Sequence, residues 1–413
     1  MPVVHINLAE RGGSGDLSQA NWGVLKAARA LLFVGALCIA ALGLLTGSIG
    51  LAGGLFGPRR DRLVMITLWI SLLTLTVGLG LALAWHGWRS LQGRESTPFQ
   101  PRRIWPWGLL YLLTLLAGQI ILSWDLVPVL TFPPFHVAAG VLPPLIVVGL
   151  VGRSLGGTVR WRGVVFQVSS GAFLATSLAF AIETAIILGL LLLALIAVAV
   201  QPGGPELLQA LAARLEDPAW LQDLTRLAGL VREPIVLAAI FLVAAVVIPL
   251  VEEAIKTLGV GLLVWQHPDP ARAFVWGLAG GAGFALAENL LNTAGALDAW
   301  GPVALLRAGA SLLHCLTGGL MGLAWRHLGN LRRWGPAAGL YVASAGLHSA
   351  WNCLAAGMSV VSLNSQSSGQ AVVGPGTATI LALLIGLSLL VGLGLAALSR
   401  FLRQGQSASR PES

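Results

Sequence analysis

Long apolar runs alternate with short polar loops along most of the chain. A helix that spans a membrane needs about 20 mostly apolar residues, and about ten segments meet that requirement. They lie near residues 30–54, 63–85, 107–124, 136–152, 171–200, 235–264, 272–291, 303–325, 336–357 and 377–399. The pattern predicts an all-α fold, a polytopic membrane helix bundle with about ten transmembrane helices.

The composition agrees with a membrane protein. Of the 413 residues, 56% are hydrophobic and 10% are charged, whereas a soluble domain carries roughly 25% charged residues. The formal charge of +8 comes from basic residues that flank apolar segments, as expected for a protein held in a bilayer. We therefore expect the lipid bilayer, and no nucleic acid, as a partner.

Arginine in the short loops predicts the orientation. The loops at 86–106, 153–162 and 326–333 are basic, and so is the tail that carries Arg400 and Arg403. The intervening loops at 125–135, 292–302 and 358–376 contain no lysine or arginine. Basic loops stay on the cytoplasmic side, so the alternation predicts that both termini are cytoplasmic. The basic segment 57–63 does not fit this scheme.

The pattern of apolar and polar stretches also predicts how the chain is divided into segments. Segment 201–234 repeats leucines at helical spacing, and Pro218 begins a second such stretch. We expect two short amphipathic helices on the outer membrane face there, with a lid or substrate-docking element as the alternative. The predicted divisions are a cytoplasmic tail (1–29), an N-terminal membrane module (30–200), the amphipathic segment (201–234), a four-helix core (235–357), a loop with the last helix (358–400) and a cytoplasmic tail (401–413).

Charged residues occur within the apolar run around 246–261. Glu252, Glu253 and Lys256 lie there within five residues, and each charge near the centre of a bilayer costs roughly 2.5–3.5 kcal/mol. Lys256 can pair with either carboxylate at helical spacing. Pro249 removes a backbone hydrogen bond just before them and loosens the helix.

The next three predicted helices also carry ionisable or amide side chains. Glu288 and Asn289 lie on the first, His314 on the second, and His348 with Asn352 on the third. Taken singly, each is interpreted as an interhelical contact, and Glu183 in an earlier helix is an example. Together they indicate a functional site, because carboxylates and imidazoles are also the ligands of catalytic zinc. The chain has no HExxH pair.

These residues fall into four motifs that resemble the PrsW family of intramembrane proteases. EEAIK at 252–256 looks like its EExxK signature, and FALAEN at 284–289 resembles its FxxxEN motif. The third motif is a histidine followed by small residues, as in HCLTGGLMG from His314, and HSAWN at 348–352 is similar to the fourth, HxxxN. The resemblance covers roughly residues 235–357. It implies intramembrane proteolysis in a bacterial cytoplasmic (inner) membrane, and a substrate such as an anti-sigma factor or another single-span protein.

The hypothesis for the mechanism is an endopeptidase in which Glu252 activates water. Glu253 supports that role and Lys256 orients the two carboxylates. Asn352 donates a hydrogen bond to the developing oxyanion. If the site holds a metal, zinc above all, its ligands are Glu288, His314 and His348; without a metal, the histidines position the water and protonate the leaving amine.

Two questions stay open at the level of sequence. Glu252 and Glu288 fall at different depths on two straight helices, so a shared site requires shifted helix boundaries or a break near Pro249. The function also has alternatives in other classes: a proton-coupled transporter whose buried Glu/His chain carries protons, or a non-catalytic scaffold with a degenerate protease core.

Overall fold

The computed structural model describes residues 15–56, 61–155, 157, 159–217, 220, 223–368 and 374–408. These residues are almost entirely helical and form no β-strand. The first half contains α1 (Gly15–Phe56), α2 (Arg62–Leu91), α3 (Trp105–Ser123), α4 (Pro128–Ser154), α5 (Trp161–Ser169), α6 (Thr176–Ala199) and α7 (Gly204–Leu215). The second half contains α8 (Leu224–Arg232), α9 (Pro234–Leu242), α10 (Ile248–Ile255), α11 (Leu258–Leu263), α12 (Pro270–Asn292), α13 (Trp300–Gly329), α14 (Trp334–Ser367) and α15 (Pro375–Ala408).

The helices confirm an all-α, polytopic membrane bundle. Within the described ranges, nine helical segments are long and apolar enough to cross a membrane. The predicted span at 336–357 lies in α14 and is not one of the nine. Glycine, serine and asparagine recur along α14 and lower its hydropathy.

Several helices extend beyond their predicted ends. Helix α1 begins inside the predicted N-terminal tail, and α14 continues into the predicted loop at 358–376. Helices α7 and α8 lie in segment 201–234, where two short helices are expected, and their location on the outer membrane face stays a prediction. Pro218, where the second of these helices was expected to begin, lies outside the described residues. So do residues 57–60 of the basic segment 57–63.

Helix α12 lies at the centre of the bundle. It packs against α4, α5 and α13, and all but a few of its side chains are buried. Its contact with α13 is made by glycines on both helices, Gly277 and Gly281 on α12 against Gly318 and Gly322 on α13. Small residues let two membrane helices approach backbone to backbone, so α12 and α13 form a closely spaced pair.

Helix α6 lies at the edge of the bundle. Ala175 and Ala179 pack with Ile255 of the α10 helix and Phe284 of α12. Beyond that contact, most of the large apolar side chains of α6 are exposed, as expected for a surface that faces lipid. The side of α6 that packs is therefore the side nearest α10 and α12.

Two wide helical turns interrupt the otherwise regular helices. Residues Ser170–Ala175 form a π-helical turn between α5 and α6, and residues Val243–Val247 form another between α9 and α10. Such turns leave backbone groups without their regular partners and often occur at functional sites. The second turn lies just before Pro249, and the helix is interrupted again after Ile255. The structure therefore has a helix interruption near Pro249, which is one of the two alternatives that the sequence leaves open.

Candidate functional site

Two side chains of α14 donate hydrogen bonds to backbone oxygens in and near the helix interruption before α10. The amide nitrogen of Asn352 donates a hydrogen bond to the backbone oxygen of Ala244, in the π-helical turn, at 2.9 Å. The hydroxyl of Tyr341 donates to the backbone oxygen of Leu250 at 2.8 Å. A helix interruption within a membrane needs such partners for its backbone groups, because lipid offers none. Helix α14 thus fixes the short helix that carries Glu252 and Glu253.

Glu253 and Lys256 form a fully buried ion pair. Both side chains are inaccessible, and the Lys256 Nζ atom donates a hydrogen bond to Oε1 of Glu253. The same ammonium group lies 3.3 Å from the hydroxyl of Thr317 and 3.0 Å from Nδ1 of His314. A buried charge is tolerated where it is paired and hydrogen-bonded. The lysine therefore pairs with the second carboxylate of the motif and not with Glu252.

His348 joins the two neighbouring glutamates. Its Nδ1 atom lies 2.9 Å from Oε1 of Glu253, and its Nε2 atom lies 3.6 Å from Oε2 of Glu252. Because an ionised carboxylate only accepts hydrogen bonds, the contact with Glu253 places the proton of a neutral ring on Nδ1. Nε2 then presents its lone pair on the side of Glu252.

Glu288 belongs to a second cluster. Its Oε2 atom lies 2.8 Å from Nε2 of His314 and 2.9 Å from Nη2 of Arg307. The guanidinium group also donates from Nε to Oδ1 of Asn289 at 2.9 Å. Arg307 therefore binds two neighbouring residues of the FALAEN motif at once and holds Glu288 against His314.

Asn289 ties this cluster to the rest of the bundle. Its amide nitrogen donates to the backbone oxygen of Gly140 on α4 at 3.0 Å and to the hydroxyl of Ser311 on α13 at 2.9 Å. The side-chain oxygen of Asn289 accepts a hydrogen bond from Arg307. Both the nitrogen and the oxygen of this buried amide are therefore hydrogen-bonded within the protein. The residue fixes three helices relative to one another.

A cavity of about 350 Å³ opens between α6, α10, α12, α13 and α14. Its lining includes Glu183, Glu252, Glu288, Arg307, His314, His348 and Asn352. Glu253 and Lys256 are buried behind this surface and do not line it. The two adjacent glutamates of the first motif are thus distinguished by the fold, because only Glu252 reaches the cavity.

The structure brings most of the predicted site residues to this one cavity. Glu252 and Glu288 share it despite their different positions on two helices, and the helix of Glu252 is interrupted both before and after that residue. Phe284, Glu288 and Asn292 line it from one face of α12, and His348 and Asn352 line it from one face of α14. The roles predicted for these residues stay predictions.

Two charged residues at the cavity were not among the predicted site residues. Arg307 lies seven residues before His314, two helical turns away on the same face of α13, and this spacing is a signal in the sequence. Glu183 was interpreted as an interhelical contact. Within the described chain, its Oε1 atom is buried and has no hydrogen-bond partner, and its side chain lines the cavity instead.

Three of the side chains are close enough to hold a metal ion. One ligand atom from each of Glu252, His314 and His348 lies within 4.8 Å of the other two. The Oε2 atom of Glu252 is buried and lacks a hydrogen-bond partner among the described residues. The second ring nitrogen of His348 contacts the carboxylate of Glu253, which is the usual arrangement of a metal-bound histidine. The donor set therefore fits zinc, although His314 would have to exchange its contact with Glu288 or Lys256 for the ion.

A polar cavity inside a membrane helix bundle, lined by carboxylates and imidazoles that can activate water, is typical of an intramembrane protease. The family model described as "PrsW family intramembrane metalloprotease" matches residues 159–387, which is more than half of the chain. The chain belongs to the PrsW family of intramembrane proteases. No curated protein and no solved structure matches the chain.

The matched range is wider than the four helices that carry the motifs. It begins before α5, so it includes α6 with Glu183, and it ends within α15. Membership in the family, together with the apolar helices, identifies the chain as an integral membrane protein with a protease fold. Membership in a family of intramembrane proteases implies membrane proteins as substrates and the lipid bilayer as surroundings.

Proposed function

We propose that the protein is an intramembrane endopeptidase that hydrolyses a peptide bond in or beside a membrane-spanning segment of its substrate. One observation carries the proposal: the Oε2 atom of Glu252 is buried, is without a hydrogen-bond partner in the described chain, and belongs to a residue that lines the cavity. A carboxylate oxygen that accepts no hydrogen bond in this position is suited to accept a proton from water.

In the proposed mechanism, water enters the cavity and hydrogen-bonds to Glu252. The carboxylate takes one proton while the water oxygen forms a bond to the carbonyl carbon of the substrate. His348, whose Nε2 atom lies 3.6 Å from Glu252 Oε2, accepts this proton from Glu252 on Nε2 and transfers it to the amide nitrogen. The carbon–nitrogen bond breaks, and a carboxylic acid and an amine leave.

The remaining residues of the first and last motifs position these groups. Glu253 is neutralised by Lys256 and holds the ring of His348 through Nδ1. Asn352 donates one of its two amide hydrogens to the backbone oxygen of Ala244. The other hydrogen remains for the developing oxyanion, in agreement with the role predicted from the sequence.

We also propose a place for zinc. When bound, zinc would be held by Glu252, His314 and His348, and it would make water more acidic and polarise the carbonyl group of the substrate. This assignment gives Glu252 the role of a ligand. The sequence hypothesis instead gives Glu288 that role and keeps Glu252 as the base. If Glu252 is a zinc ligand, Glu288 is the carboxylate that remains for proton transfer, and it is held by Arg307 and His314.

The test is cleavage of a fluorescent single-span peptide by the purified protein in lipid nanodiscs. Glu252→Gln is expected to lower kcat by about 10²–10⁴-fold, the usual contribution of a general base. Glu206→Gln, on the exposed side of α7, is the matched control and is expected to cleave as the wild type does. Undiminished cleavage by Glu252→Gln would overturn the proposal.

Metal content measured on the same samples by mass spectrometry separates the two mechanisms. Zinc lost from Glu252→Gln but kept by Glu288→Gln makes Glu252 the ligand, and the reverse result makes Glu288 the ligand and Glu252 the base. An active wild type without bound metal indicates a mechanism that relies on glutamate alone. The double variant His314→Ala, His348→Ala is expected to lose zinc in either metal-dependent case.

We further propose that residues 235–357 form the catalytic core and that the protein resides in a bacterial cytoplasmic membrane with both termini inside. The arginines of the alternate loops support this orientation. The substrate is then a single-span protein, of which an anti-sigma factor is one example. Labelling of single cysteines placed at 96 and 298 with an impermeant reagent tests the orientation, because only the second is expected to react in intact cells.

A further inference from the structure

Helix α6 directs one face to the cavity. Thr176, Ala179, Phe180 and Glu183 line it, and their spacing of three to four residues places them on one stripe of the helix. Three of the four carry no charge, so Glu183 is the group through which α6 contributes electrostatically to the site. The mechanism above does not use this residue.

The carboxylate of Glu183 lacks a partner within the described protein. Its Oε1 atom is buried and makes no hydrogen bond, and its helix is one of the most apolar in the chain. An ionisable side chain in such a position costs roughly 2.5–3.5 kcal/mol by insertion scales. An ionisable residue of this kind indicates a functional site, because a purely structural role would supply a partner.

The charges that line the cavity do not balance. Three carboxylates, those of Glu183, Glu252 and Glu288, face one guanidinium group. Arg307 already donates hydrogen bonds to Glu288 and Asn289. Glu252 is only 5% exposed and also has an unpartnered oxygen among the described residues. The cavity therefore has free acceptors for a cation, and it has no free cation of its own in the described lining.

The position of the cavity relates these acceptors to a substrate. Phe180 lines it and is 71% exposed on the lipid-facing side of α6. Asn292 lines it from the last turn of α12, so the cavity extends to the level where that helix ends. A segment that enters from the bilayer thus meets the cavity near one end of its span, where the long side chain of a lysine or arginine can extend from the apolar core to a polar site.

We propose that Glu183 is a specificity-determining residue, which binds a lysine or arginine side chain next to the peptide bond to be cleaved. The inference deepens the proposed function and rests on it. A carboxylate bound to a cation in a poorly hydrated site gains more than one bound to a neutral donor. Substrates with a basic residue at the matching position are therefore preferred to substrates with a neutral or acidic one.

The experiment measures binding and cleavage on the same peptides. The full-length protein in lipid nanodiscs is titrated into fluorescent peptides with an apolar span of about 20 residues. The peptides differ at one position, scanned across one end of the span, which carries lysine, norleucine or glutamate. The protein variants are the wild type, Glu183→Gln, Glu183→Lys and the control Glu206→Gln, and thermal unfolding of each reports the fold.

At one or two positions, the wild type is expected to bind the lysine peptide about tenfold more tightly than the norleucine peptide, a difference of about 1.4 kcal/mol. Glu183→Gln is expected to bring this ratio close to unity, and Glu183→Lys to favour the glutamate peptide. Glu206→Gln is expected to keep the ratio of the wild type. Binding without preference by the wild type at every position, or a preference that survives in Glu183→Gln, would overturn the inference.

Cleavage separates this inference from the proposed function. A wild type that prefers the lysine peptide in binding but cleaves none of the peptides supports the role of Glu183 and counts against the protease mechanism. A wild type that cleaves all three peptides at equal kcat/KM, and binds them equally, supports the protease and overturns the role of Glu183.

Discussion

The Nδ1 atom of His348 lies 2.9 Å from Oε1 of Glu253, a residue 95 positions earlier in the chain. The same carboxylate oxygen accepts a hydrogen bond from Lys256. Glu253 is thus shared between a histidine of the cavity and a lysine buried behind it. This contact links the first motif to the last and leaves Glu252 as the carboxylate that faces the cavity.

The buried pair makes a strong prediction about stability. Lys256→Met leaves the carboxylate of Glu253 buried without its counter-ion, and the free energy of unfolding is expected to fall by about 3–5 kcal/mol. The double variant Glu253→Gln, Lys256→Met removes both charges and is expected to recover most of this loss. Denaturant titration in mixed micelles measures both values.

An exposed ion pair provides the comparison. Arg226 lies 3.0 Å from Asp223, and both side chains are accessible. Arg226→Met is expected to change the free energy of unfolding by less than about 1 kcal/mol, since water screens the exposed charges. Equal losses for Lys256→Met and Arg226→Met would contradict the special weight given to the buried pair.

Arg307 is predicted to act on catalysis through Glu288. Arg307→Met frees Glu288 from one of its two contacts, and activity is expected to fall by about 10–100-fold, as for other residues that orient a site. Arg307→Lys retains the charge but lacks the planar group that reaches Glu288 and Asn289 together, so an intermediate loss is expected. Steady-state kinetics with a single-span peptide measures both variants, and full activity in Arg307→Met would count against this role.

The glycine contact between α12 and α13 predicts a steric effect on the site. A Cβ atom at Gly281 would overlap the backbone oxygen of His314. Gly281→Ala is therefore expected to lower the free energy of unfolding by about 1–3 kcal/mol and to lower activity, because the helices must separate. Gly386→Ala on α15 has open space around it and is the control, with no loss expected. An unaltered Gly281→Ala variant would mean that the two helices are not closely packed in the membrane.

Asn289 links three helices, so its substitution is expected to lower the stability of the protein. Asn289→Ala removes the contacts with Gly140, Ser311 and Arg307 and leaves buried groups unpaired, so about 1–3 kcal/mol of unfolding free energy is expected to be lost. Asn364 accepts one hydrogen bond from Arg232 near the surface, and Asn364→Ala is expected to cost much less. A similar effect of the two substitutions would contradict the linking role of Asn289.

The four motifs could be recognised from the sequence because their residues are out of place in a membrane. Glu252, Glu288, His314 and His348 each interrupt an apolar run, and such interruptions are visible without a structure. The broken helix was also predictable in part, since Pro249 cannot donate the regular hydrogen bond. What the break achieves was not predictable, because it depends on Asn352 and Tyr341 supplying partners from another helix.

The sequence by itself determined the membrane class, the helices and the positions that carry chemistry, because hydropathy and helical spacing act over short stretches of chain. Which charged residue faces the cavity and which one is paired was decided only by the tertiary structure. Glu252 and Glu253 are neighbours in the chain, yet one faces the cavity and the other pairs with Lys256. The position of Glu183 beside Glu252 likewise results from the packing of α6 on α10, since a single ionisable residue in an apolar helix does not reveal which neighbour it meets.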